Sequence, residues 1–125
     1  MKRCRLIVSS MILAVVTSLS AIRPVLAASD YYEGTYNGKQ YICRASLTAS
    51  LARATISYEN KTVKLRVNST VKYQMGSTTH FVSGTDSRTY FAGVDIPATT
   101  GTTLLSGNFQ YLITTNQVYN TSLKN

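Results

Sequence analysis

Thr62-Val63-Lys64-Leu65-Arg66-Val67-Asn68-Ser69-Thr70-Val71-Lys72-Tyr73-Gln74-Met75 is the stretch on which the fold reading turns. Apolar residues take the odd positions and polar ones the even positions, with only Ser69 breaking the apolar side. Alternate side chains of a strand point to opposite faces, so this segment has one dry side and one wet side. A helix would scatter the same residues around its axis. Fourteen residues is long for one strand, and Asn68-Ser69 is the expected place for a bulge or a bend.

The same alternation runs outward from this stretch. Ala52, Ala54, Ile56 and Tyr58 alternate with Arg53, Thr55, Ser57 and Glu59. Glu59-Asn60-Lys61 then reads as a tight turn, which makes 52–75 an expected hairpin. Asn37-Gly38 is a strong two-residue hairpin signal, with Tyr32, Gly34 and Tyr36 leading in and Tyr41, Cys43, Ala45 and Leu47 leading out. Residues 45–54 fit two readings. Leu47, Leu51 and Ala54 have helical spacing, but a strand end, a turn near Thr48 to Ser50 and a new strand is preferred.

Downstream, Gly76-Ser77-Thr78 reads as a loop, His80 to Ser83 as a short strand, and Ser83-Gly84-Thr85-Asp86-Ser87 as another loop. Tyr90, Ala92, Val94 and Ile96 alternate up to Pro97, which stops a strand. Phe109, Tyr111 and Ile113 share a face, Asn116-Gln117 turns the chain, and 118–123 pairs back. Seven or eight short strands joined by turns predict an all-β antiparallel β-sandwich, immunoglobulin-like or jelly-roll-like.

The chain has 125 residues, enough for one domain. Its start reads as a secretory signal: Lys2, Arg3 and Arg5, then an uncharged apolar run to Ile22, then Val25-Leu26-Ala27 with small residues where signal peptidase needs them. The expected organisation is a signal peptide over 1–27, cut after Ala27 or Ala28, and one all-β domain over 28–125, secreted to the extracellular side. Four of the thirteen basic residues precede residue 28 and all five acidic ones follow it. The domain therefore holds nine cations against five carboxylates, a formal +4, which permits anionic partners without demanding them. Cys43 is its single cysteine, so no internal disulfide staples it.

Catalytic chemistry finds little to build on. His80 is the sole histidine, and Cys43 lies on an apolar strand face where a thiol is inert. The five acidic residues belong to no motif, with Asp30 and Glu33 expected near a disordered terminus and convergence of Asp86 and Asp95 left open. No metal-ligand cluster or phosphate loop occurs, no cofactor is expected, and the reading is not an enzyme. Lys64, Arg66 and Lys72 form a basic stripe along one strand face, about 25 Å long. This is the candidate binding surface. Its expected partners are an anionic cell-wall polymer, a membrane surface or another surface protein. Without interleaved aromatics it is not a nucleic-acid groove. The nine tyrosines read as strand residues first.

Gly34-Thr35-Tyr36-Asn37-Gly38, the Ala/Thr/Ser-rich stretch over 45–73 and the closing segment from Ser106-Gly107-Asn108-Phe109 to Tyr119-Asn120-Thr121-Ser122 resemble the small exported β-rich proteins of Gram-positive bacteria. The resemblance implies export and a sandwich-like fold, and brings no activity or site residues with it. Two functional expectations follow: an envelope or surface interaction module, or a bacteriocin-like, membrane-active antagonist.

Overall fold

A computed structural model describes residues 28–125; the signal-peptide reading of 1–27 lies outside the described residues. The chain forms eight strands: β1 (Ala28–Tyr36), β2 (Lys39–Leu47), β3 (Leu51–Tyr58), β4 (Lys64–Met75), β5 (Thr78–Thr89), β6 (Phe91–Pro97), β7 (Thr102–Ile113) and β8 (Asn116–Lys124). They build two antiparallel four-stranded sheets. The first has the order β1-β2-β3-β6 and the second β5-β4-β7-β8. The sheets pack face to face as a β-sandwich.

The turns explain much of the path. Asn37 and Gly38 both have positive φ (50° and 76°), the backbone a two-residue hairpin requires, and they set the register Tyr36 opposite Lys39. Between β2 and β3, the Thr48 hydroxyl accepts from the amides of Ser50 and Leu51, so this stretch is strand, turn and strand rather than helix.

Several local expectations are corrected. The last turn is Thr114-Thr115, with Thr114 at φ 57°, and Asn116 and Gln117 are not a turn but open β8 opposite Ile113 and Leu112. The β3–β4 hairpin does not form: β3 pairs with β2 and β6, while β4 pairs with β5 and β7. Glu59 to Val63 carries the chain from one sheet to the other. Residues 83–87 are not a loop but the middle of β5, which pairs with β4 along its whole length from Met75–Thr78 to Lys64–Thr89. The irregularity in β4 pairing falls between Lys72 and Tyr73, not at Asn68-Ser69. It exists because Leu104 and Phe109 both face the core although their separation is odd; Leu105 is the extra residue that resets the phase.

The core lies between the sheets. Tyr41, Cys43, Ala45 and Leu47 of β2 and Ala52, Ala54, Ile56 and Tyr58 of β3 face Leu65, Val67 and Val71 of β4 and Phe109, Tyr111 and Ile113 of β7. The small residues Ala45, Ala52 and Ala54 make room for the rings opposite. Buried tyrosines carry a hydroxyl that needs a partner. Tyr111 donates to the Arg44 carbonyl at 2.6 Å, Tyr58 to the Tyr36 carbonyl at 2.6 Å and Tyr41 to the Val118 carbonyl at 3.1 Å. Gly34 lies beneath the Tyr41 ring, and a Cβ there would overlap it. Tyr41 and Tyr111 are thus core residues that also tie the two sheets together, while Tyr58 ties β3 to β1 within the first.

Asp30 is not disordered. It is buried in β1, accepts from the Tyr31 amide at 3.0 Å, and accepts from the hydroxyls of Thr121 (2.7 Å) and Tyr119 on β8. Tyr119 in turn stacks on Tyr32 with centroids 4.2 Å apart. This staple fixes the chain start of the domain against its end.

Candidate functional site

Residues paired across antiparallel strands share a face, so the register shows what accompanies Lys64, Arg66 and Lys72 on the outer side of β4. One row runs Phe81–Lys72–Ser106–Lys124, the next Ser83–Thr70–Asn108–Ser122, and the next Thr85–Asn68–Gln110–Asn120. Lys64 and Arg66 are exposed, and Lys72 is half-buried with its stem along the sheet. The stripe is therefore real. From Lys64 to Lys72 it covers about 26 Å at ~3.3 Å per residue.

Between the cations lies a lattice of amides and hydroxyls. Thr85 donates to Asn68 Oδ1 at 3.0 Å, Asn68 Nδ2 donates to Gln110 Oε1 at 3.0 Å, and Gln110 Nε2 donates to Gln117. In the neighbouring row Asn108 Nδ2 donates to Ser122 Oγ at 2.8 Å. These bonds orient the donors and acceptors of the polar face.

Two members of this surface escaped the sequence reading. Lys124 comes from the last strand and stands two strand spacings, about 10 Å, from Lys72. Phe81 stands beside Lys72 with 69% of its area exposed. Neither has a local signal; only the pairing of β4 with β5 and β7 with β8 brings them to the stripe.

Charge is sorted between the faces. The outer side of the second sheet carries Lys64, Arg66, Lys72 and Lys124 and no carboxylate. The described carboxylates lie elsewhere: Asp30 in the core, Glu33 and Asp95 on the outer side of the first sheet, Glu59 in the crossing, and Asp86 on the inward side of edge strand β5.

Catalytic groupings do not form from the residues considered. Cys43 and His80 lie in different sheets, and burial pushes the Cys43 thiol well above its usual range. His80 is exposed, stacks on Tyr73 at 5.5 Å and contacts the Thr78 hydroxyl at 2.9 Å. Asp86 and Asp95 both line a groove between β5 and β6, each held by its own arginine. Both are held below the usual carboxylate range. Arg88 and the Gly93 amide do this for Asp86, and Arg53, in a two-bond fork at 2.7 and 3.0 Å, does it for Asp95. A general acid needs the opposite shift. Among the described residues, no group of three or more His, Cys, Asp or Glu side chains could hold a metal ion.

Comparison with protein-family models, with curated proteins and with solved structures gives no match.

Proposed function

We propose that this is an exported, non-catalytic interaction module that lies with its second sheet on an anionic polymer of the cell envelope. The observation that carries this reading is the outer face of that sheet: four cations, an oriented amide–hydroxyl lattice between them, and no carboxylate to repel a polyanion. Export rests on the signal layout of the first 27 residues. A cut after Ala27 leaves β1 whole, since Ala28 is its first residue and pairs with Leu47. N-terminal sequencing of protein from the medium of an exporting host should start at Ala28 or Ser29.

The binding test uses a poly(glycerol phosphate) chain as the probe. Lys64→Glu combined with Lys72→Glu should weaken binding at least ~30-fold, at about 1 kcal/mol for each lysine at an anionic surface, with the melting temperature unchanged. Wild-type affinity should fall steeply as salt rises from 50 to 200 mM, roughly 10²-fold for four contacts. A double variant that binds like the wild type, or binding insensitive to salt, would remove the face from consideration. Anionic vesicles bound in preference to the polymer would replace the wall with a membrane as the partner.

A further inference from the structure

We propose that the outer face of the first sheet is a separate binding site, a trough that takes an acidic oligosaccharide. The face is concave. A trough of about 560 Å³ runs over Tyr31, Ile42, Arg44, Thr55, Ser57 and Phe91, and continues past Ile42 and Ser57 to Lys61 and Tyr90. The rows Tyr31–Arg44–Thr55–Gly93 and Glu33–Ile42–Ser57–Phe91 build it. Tyr31 and Phe91 stand on opposite edge strands, three spacings or about 14 Å apart. Gly93 keeps the floor open between them. A Cβ there would press on Thr55 Cγ2 at 3.1 Å and meet the Phe91 ring at 3.5 Å.

Two independent observations point to a ligand. Tyr90 has φ 72°, a left-handed backbone that a bulky residue rarely adopts, yet its side chain is 50% exposed. The core does not need this ring, and glycine would relieve the strain. Strain retained at an exposed aromatic beside a trough marks a ring kept for contact. The second observation is the pairing of charges. The carboxylates of this face are engaged: Asp95 by Arg53, Glu59 by the Gln40 amide, and Glu33 by the Tyr31 hydroxyl and Gln40 Nε2. Arg44 and Lys61 instead lie over the rings of Tyr31 and Tyr90, at 5.1 and 5.0 Å from the centroids. They are the cations placed to meet an incoming carboxylate.

A uronate oligosaccharide fits this set. The C–H face of a pyranose ring lies on Phe91 or Tyr90, its hydroxyls exchange hydrogen bonds with Thr55 and Ser57, and its carboxylate takes the Arg44 fork. Long apolar ligands would leave Arg44 and Lys61 without a role.

Amide chemical shifts of the protein, as its host processes it, are followed while a galacturonate trimer is added, with cellotriose as the neutral comparison. The expected result is movement of residues 42–44, 55–57 and 91–93, none along 64–72, and little response to cellotriose. Phe91→Ala should weaken binding at least tenfold. Tyr90→Gly should do the same while raising the melting temperature, an outcome that damage to the fold does not give. The inference is overturned if the trimer moves nothing at millimolar concentration, if it moves only the second sheet, if cellotriose binds as well, or if Tyr90→Gly binds like the wild type. Lys64→Glu with Lys72→Glu leaves this titration unchanged, so the two faces succeed or fail separately.

Discussion

The two sheets are written in the same alternation of apolar and polar residues, but they use their faces differently. Outside, the second sheet gathers four cations around an amide–hydroxyl lattice, while the first sheet engages its carboxylates and sets Arg44 and Lys61 over aromatic rings beside a trough. Inside, the contrast is between one buried polar residue of each. Asp30 of the first sheet is a buried carboxylate that accepts from the Tyr31 amide and from the Tyr119 and Thr121 hydroxyls. Ser69 of the second is a buried hydroxyl whose Oγ has no hydrogen-bond partner. A strand pattern thus fixes which side chains are buried, and the identity of their neighbours decides what burial costs.

The largest effect tests the satisfied misfit. Asp30→Ala leaves the Tyr119 and Thr121 hydroxyls without their acceptor and unpins β1 from β8. It should cost about 3 kcal/mol, read as a lower urea midpoint. A loss under ~1 kcal/mol would mean that the staple is replaced by water and that the two interiors are less different than their bonding shows.

Alkaline pH probes the interior next. Burial raises the Cys43 and Tyr111 groups and pushes Tyr41 up to about 12. Their folded pKa values exceed the unfolded ones, so their stability is complete below the unfolded pKa. It starts to fall once the unfolded chain ionises, near pH 8.5 for Cys43 and near 10 for the tyrosines, and the loss ends only at the folded pKa. Each group steepens the decline by up to ~1.4 kcal/mol per pH unit. Melting temperature should therefore be level near neutral pH and fall above about pH 9. Cys43→Ala should delay the fall to about pH 10. An unchanged profile would place the thiol in contact with water.

Charge reversal compares the outer faces. Arg53→Glu sets a carboxylate opposite Asp95 and should cost about 1 kcal/mol, modest because the pair is half exposed. Lys64→Glu, with no partner to lose and Arg66 nearby, should stay within ~0.5 kcal/mol. Equal costs in thermal unfolding would show that the sorting of charge has no bearing on stability.

Much of this was readable along the chain, and the failures share a cause. The β4 segment, the Asn37-Gly38 hairpin and the β7–β8 pairing rest on neighbours in sequence, and the structure has all three, the last with its turn at Thr114-Thr115 rather than at Asn116-Gln117. The partners of β3 and β4 do not. Tyr58 and Leu65 are both core residues whether or not their strands share a sheet, so periodicity alone could not separate them. Of strand β5 only His80 to Ser83 was readable, because an edge strand exposed on both sides needs no apolar alternation; its partner β4 sets the conformation of the rest. The basic stripe was legible because it lies on one strand. Lys124, Phe81 and the trough were not, since each comes from rows that cross strands remote in sequence.

The smallest effect concerns the unsatisfied misfit. Ser69 pairs with Gly84 and Phe109 in register, and its hydroxyl faces an interior of aliphatic and aromatic side chains. Burying a hydroxyl without a partner is unfavourable, so Ser69→Ala should raise stability by up to ~1 kcal/mol, a few degrees in melting temperature for a domain this size. Its outward neighbours Asn68 and Thr70 keep their bonds, so polyanion binding should not change. A loss of stability instead would mean that a buried water satisfies Ser69. The second sheet would then resemble the first in resolving its misfit, and the difference between them would lie wholly on their outer faces.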